Sequence, residues 1–136
     1  MSVELSPIIA GVMNWGVWDK NLNTNEFTHL INLFIENGIT TFDHADIYGG
    51  YTTEASFGKA LSESKIDRKK IQLITKCGIQ YVSENRPNNS IKHYEYSKDY
   101  IIWSAENSLK NLQTDYLDVF LLHRPSPLMQ ADEIAE

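Results

Sequence analysis

Four short apolar runs, Ile8 to Met13, Ile39 to Phe42, Ile71 to Ile74 and Leu117 to Leu122, constrain this chain more than any other feature. They start about 31, 32 and 46 residues apart, and each is nearly continuous where a half-buried strand would alternate. That is the pattern of strands covered on both faces of a parallel sheet. Helical patterns fill the gaps. Asn23 and Glu26 have capping-box spacing just before an apolar face of Phe27, Leu30, Ile31, Phe34 and Ile35, and Gly38 stops that helix. A second helix is expected from about Thr53 to Ser62, with Ala55, Gly58 and Leu61 allowing close packing. A third is capped by Ser97, carries Ile101, Ile102, Ala105, Leu109 and Leu112 as its stripe, and ends near Thr114-Asp115. A fourth begins around Gln130, and the sequence stops inside it.

The order β-α-β-α-β-α-β-α specifies an α/β fold of about four β/α units, with parallel strands joined by right-handed crossovers. The stretch from Gly78 to Tyr96 is the one long irregular segment, and at that length it is expected to be functional or mobile. A chain of 136 residues holds one domain, residues 1–136, with one modest core, whereas a closed (β/α)₈ barrel takes about 250.

Composition narrows the partners. With 42% apolar and 11% aromatic residues the chain is not of the disordered class. Twelve basic against 18 acidic residues give a net charge of −6, and no basic run is present. That balance argues against nucleic acid and anionic membrane surfaces as partners. Cys77, the single cysteine, has no partner for an internal disulfide, and no apolar stretch of about 20 residues could span a bilayer. Met1-Ser2-Val3-Glu4 lacks the features of a signal peptide, so a cytoplasmic location is expected. The sequence carries no metal-ligand cluster, no Walker-type loop and no Gly-x-Gly-x-x-Gly fingerprint.

The chemistry is positional. At the C-terminal ends of three runs an ionisable residue follows: Asp43 after the second, Lys76 after the third and Thr75, and His123 after the fourth. In parallel α/β folds those strand ends form the ligand-binding face. Singly, each has a structural explanation, since polar residues naturally begin where strands end. Tyr48, five residues after Asp43, can swing over the same rim, although a lone tyrosine is more often a packing residue.

These residues carry a resemblance. Thr41-Phe42-Asp43-His44-Ala45-Asp46-Ile47-Tyr48-Gly49-Gly50, followed by Glu54 and Gly58, resembles the signature of the aldo-keto reductase family. Ile74-Thr75-Lys76-Cys77-Gly78 is similar to its third-strand lysine motif, and Asp115-Tyr116-Leu117-Asp118-Val119-Phe120-Leu121-Leu122-His123-Arg124-Pro125 to its fourth-strand histidine motif. The wording is closer to a bacterial-type branch of oxidoreductases than to the aldose reductases. The resemblance implies the N-terminal half of a TIM (β/α)₈ barrel, cut off in the fourth helix. It also implies a catalytic tetrad of Asp43, Tyr48, Lys76 and His123, working with NADP (NADPH) on a small-molecule aldehyde or ketone.

That chemistry is coherent. No side chain supplies hydride, so a nicotinamide cofactor must. A phenol is a poor acid at neutral pH, and a cation beside it favours its ionised form. Lys76 would be that cation, Asp43 would hold it, His123 would donate a hydrogen bond to the substrate oxygen, and Tyr48 would give the proton. The resemblance further implies cofactor contacts from Met13, Asn14 and Asp43, and a substrate-pocket wall from Trp15 with His123. Met13 and Asn14 depart from the family's Gly-x-Gly-Thr-aromatic wording, and a buried tryptophan is the competing reading of Trp15. Asp46 is expected to shape its loop, and Cys77 to be an inert thiol. A half barrel leaves its first and fourth strands as open edges, so self-association through them is expected. The alternative class is a catalytically inactive half-barrel fragment, or an interaction or regulatory subunit.

Overall fold

A computed structural model describes residues 3–135. Along the chain run β1 (Ile9–Gly11), α1 (Thr24–Glu36), β2 (Thr41–Asp43), the single turn α2 (Tyr48–Tyr51) and α3 (Thr53–Glu63). There follow β3 (Gln72–Cys77), the two-residue strands β4 (Ile79–Gln80) and β5 (His93–Tyr94), α4 (Lys98–Leu112), β6 (Val119–Leu122) and α5 (Ala131–Ala135). Strands β1, β2, β3 and β6 form one parallel sheet in that order. The segment expected to be irregular contains one small ordered element, the antiparallel β4–β5 pair.

Local signals set the helix ends. The Asn23 side chain accepts from the Glu26 amide at 3.1 Å, and the Glu26 carboxylate accepts from the Asn23 amide at 2.8 Å, closing the capping box of α1. Gly38 ends that helix with φ +77°, a conformation glycine reaches without steric cost. Ser97 caps α4 through the Tyr100 amide.

Strand alternation sorts the sheet into two faces. In register, Ala10 lies beside Phe42, and Phe42 beside Leu73. This row faces the helices, in a core with Phe27, Ile31 and Phe57. Asp43, Lys76 and Leu121 belong to the opposite face, because side chains alternate along a strand. Burial on both faces holds for the central β3, where Leu73, Ile74 and Thr75 are all buried. It fails at the edges: Ile9 on β1 and Leu121 on β6 are each 44% exposed, because among the described residues no further strand pairs on either side.

Two helix stripes differ from those expected. On α3, Ala55 is exposed and the buried row is Glu54, Phe57, Gly58 and Leu61. On α4, Ile102 is exposed and the buried row is Ser104, Ser108 and Leu112. Both follow from one requirement, that α3 and α4 approach closely around carboxyl groups. The Glu54 carboxylate accepts from Thr75 at 2.6 Å and from Ser108 at 3.1 Å. Small hydroxyl side chains at 104 and 108 supply donors without holding the helices apart, and a hydrophobicity pattern cannot register that use.

Gly58 is the tightest point. A Cβ there would run into the Asn111 carbonyl oxygen and come within 2.7 Å of the Leu112 backbone. Gly58→Ala is therefore expected to force the two helices apart at a cost of about 1–3 kcal/mol, despite alanine's better helix propensity. Urea denaturation would register this as a lower midpoint at unchanged slope; a midpoint that stayed put or rose would mean the contact is slack.

Candidate active site

Lys76 is the hub. Its ammonium donates to Asp43 Oδ1 at 2.6 Å and to the His44 carbonyl oxygen at 2.7 Å, so its position is fixed from two directions. It also lies 5.2 Å from the centroid of the Tyr48 ring. The Tyr48 ring in turn stands 6.5 Å from that of His123, nearly perpendicular to it. Asp43, Lys76 and His123 from the strand ends thus converge with Tyr48, although 80 positions separate Asp43 from His123.

His123 follows β6 directly, and its amide donates to the Cys77 carbonyl, extending the β3–β6 ladder by one step. Burial, then the charges of Lys76 and Arg124, push its imidazole below the ordinary histidine range. It is therefore a neutral ring at physiological pH, able to donate one hydrogen bond without carrying charge. Its Nδ1 is buried and has no partner among the described residues.

Tyr48 opens an unusual turn. Gly49, Gly50 and Tyr51 follow it with φ of +61°, +67° and +69°. Two glycines make such a path accessible, but Tyr51 is strained there. Neighbours from the β4 side hold it. The Tyr51 ring stacks on Tyr81 at 5.3 Å, its hydroxyl accepts from the Tyr81 amide at 3.2 Å, and Asn85 donates to the Gly50 carbonyl at 2.8 Å. The Arg86 guanidinium lies 4.5 Å from the Tyr51 ring and 4.3 Å from Trp103 of α4, clamping the turn between them. The sequence reading missed Tyr81, Asn85 and Arg86; only the length of their segment hinted at a role.

Tyr48 and His123 line a cleft of about 500 Å³ with Met13, Trp18, Ile47, Ile79, Tyr81, Lys92 and Arg124. Trp15, expected as a pocket wall, is not among them. The turn after β1 carries it back over α1, where it is 7% exposed and stacked on Phe34 at 5.6 Å. The indole at the cleft belongs to Trp18, 6.2 Å from Tyr48 and 6.2 Å from Tyr81. Met13 reaches the cleft, whereas Asn14 lines a neighbouring hollow with Gly11 and Trp15.

Behind the sheet, three groups are poised by burial. His44 is fully buried with neither ring nitrogen bonded, its ring 4.4 Å from that of Phe57, and burial with the Lys76 charge lowers its pKa to about 3. Asp46 accepts from the Tyr100 hydroxyl at 2.9 Å, yet burial raises its pKa to about 7. Cys77 is buried and its thiol is pushed up to about 12, chiefly by desolvation, which fits the expected inert role. Among the described residues no cluster of three or more potential metal ligands forms, and no helix is long and apolar enough to cross a membrane.

Comparison with known proteins adds to this geometry. The sequence model of the Aldo/keto reductase family matches residues 7–136. The uncharacterized oxidoreductase YcsN of Bacillus subtilis is 48% identical over 98% of this chain and 44% of its own length. A 6-dehydroglucose reductase of Agrobacterium fabrum is 40% identical over 96% of this chain, again 44% of its own. Among solved structures, an aldo-keto reductase from Bacillus halodurans in its holo form superposes with a TM-score of 0.76 at 29% identity. It covers 97% of this chain and 40% of that one. The chain therefore spans less than half the length of the relatives it matches, and its four-stranded parallel sheet is half of a TIM barrel.

Proposed function

Because the chain belongs to the aldo/keto reductase family, we propose that it is the tetrad-bearing part of an NADPH-dependent oxidoreductase that reduces an aldehyde or ketone to an alcohol. The observation that carries this reading is the Lys76 ammonium, pinned by Asp43 at 2.6 Å and set 5.2 Å from the Tyr48 ring beside His123. The likeness to the Agrobacterium 6-dehydroglucose reductase supports it.

The residues present fit the nicotinamide end of such a cofactor. Half-exposed Met13 borders the cleft, and the unpartnered His123 Nδ1 shows that the site's polar groups are not saturated from within the described residues. Met13 and Asp43, with Asn14 in the adjoining hollow, would hold it, and when bound it supplies hydride. The chain's own residues do the rest. Neutral His123 donates to the carbonyl oxygen and orients it. Tyr48 delivers the proton to that oxygen as negative charge builds there. The Lys76 charge stabilises the phenolate left behind, and Asp43 keeps that ammonium in place. Burial of Cys77 as a free thiol fits a cytoplasmic setting.

Isotope transfer tests the reading. With NADPH carrying deuterium at both C4 positions and an aromatic aldehyde, deuterium is expected on the carbinol carbon of the alcohol, with one NADPH consumed per alcohol formed. Alcohol without label, or none formed, would reject hydride transfer. The exposed Ile9 and Leu121 on the open edge strands favour a second reading, a half barrel that acts by pairing with another half or with itself. Light scattering at twice the monomer mass, without turnover, would support that one.

A further inference from the structure

The cleft beside Tyr48 and His123 carries an electrostatic signature opposite to that of the whole chain. The protein is acidic, at −6. Yet among the described residues lining the cleft there are two full cations, Lys92 and Arg124, and no carboxylate. Lys76, deeper in, already has Asp43 as its counter-ion. Neither Lys92 nor Arg124 forms an ion pair among the described residues. Arg124 is also held in place by its backbone. It adopts φ +60°, and the Tyr96 hydroxyl lies 2.6 Å from the His123 carbonyl oxygen and 2.8 Å from its own, donating to that pair. A left-handed arginine directly after a site histidine is costly unless its placement is used. The same cleft is also lined by the rings of Trp18, Tyr48 and Tyr81.

We infer that Lys92 and Arg124 form an anion subsite, and that the carbonyl compound reduced here carries a carboxylate or phosphate on an apolar or aromatic body. This rests on the reductase reading for the carbonyl, but not for the anion. Arginine and lysine lining one cleft are the chemistry proteins use for such groups, and walls partly made of low-dielectric rings strengthen the attraction. The same charges repel cationic substrates, so they select among carbonyl compounds before any chemistry begins.

The test is a pair of near-isosteric aldehydes, 4-carboxybenzaldehyde and its neutral methyl ester, titrated into the protein while tryptophan fluorescence is followed, Trp18 being the indole at the cleft. The acid is expected to bind at least about tenfold tighter than the ester at low ionic strength. That preference should shrink to within about twofold in the Lys92→Gln, Arg124→Gln double variant and fade with added salt. Equal affinity for acid and ester, or an acid preference untouched by the double variant, would overturn the inference. NADPH titration of the same variants separates the other source of anionic oxygens. If the substitutions weaken NADPH and leave the acid's preference intact, the cations serve the cofactor and the substrate assignment falls. Turnover then divides the two readings. Ester reduced as well as acid sinks the subsite while the reductase stands; charge-dependent binding of the acid with no turnover keeps the subsite while the reductase falls.

Discussion

Tyr48→Phe is expected to cut kcat for NADPH-dependent aldehyde reduction by about 10²–10⁴-fold, the usual worth of a positioned general acid, while changing neither the fold nor cofactor affinity. The substitution is unusually clean. The Tyr48 hydroxyl makes no hydrogen bond to the described residues, so its removal orphans no buried partner, and the ring keeps its place against Trp18 and His123. Loss confined to kcat identifies the phenol as the proton source, because binding of the ground state does not depend on it. Residual activity within a few fold of the parent would remove Tyr48 from that role and leave neutral His123 or a water as the donor.

The second large effect is on stability against pH, and it comes from groups that the reaction does not use. His44 is neutral in the folded protein down to about pH 3, whereas an unfolded histidine takes up its proton near the ordinary value of 6.5. Between those values the unfolded chain binds more protons, so stability falls as pH falls, by on the order of 5 kcal/mol across the window. Asp46 acts in the opposite sense. Its carboxyl is raised from 3.8 to about 7, by burial first and by nearby Glu54, against the pull of the Tyr100 hydrogen bond and the Arg86 charge. Between those values the folded protein binds more protons, so stability falls as pH rises, by on the order of 4 kcal/mol. Glu54, also raised by burial, adds to that side.

The two slopes overlap and oppose each other, so the parent protein should vary less in stability between about pH 4 and 6.5 than either group alone would make it. Single substitutions unmask them. His44→Leu, which keeps the main-chain carbonyl that holds Lys76, should leave a protein that gains stability on acidification. Asp46→Asn should tilt the balance the other way, toward loss of stability on acidification relative to the parent. Urea denaturation at about pH 4.5 and about pH 7.5 is sufficient, and parallel behaviour of both variants with the parent would refute the assignment of these groups.

The candidate site was legible to the extent that it depends on strand alternation. Asp43, Lys76 and His123 end three parallel strands, and parallel register with a period of two puts such residues on one rim whatever lies between them. Tyr48 was legible only through the family resemblance, since a lone tyrosine near a strand end reads as a packing residue, and the Gly49-Gly50 turn that places it is a tertiary feature. The anion-binding pair and the Arg86 clamp were not. Lys92 and Arg86 lie in a segment without periodicity, and the place of Arg86 depends on aromatic surfaces from α2 and α4 that are distant in the chain.

The sequence by itself determined the order of strands and helices, the capping box of α1, the parallel sheet and the shared rim of Asp43, Lys76 and His123. Each follows from spacing along the chain or from the alternation of side chains. Tertiary structure alone decided that Trp18, not Trp15, faces the cleft, because the backbone turn after β1 chooses which indole goes to the core. It also decided that Ser104, Ser108 and Glu54 are buried while Ile102 is exposed. A polar group is free to go inside only once its partners have been brought to it, and those partners come from three different elements meeting at Gly58 and Thr75.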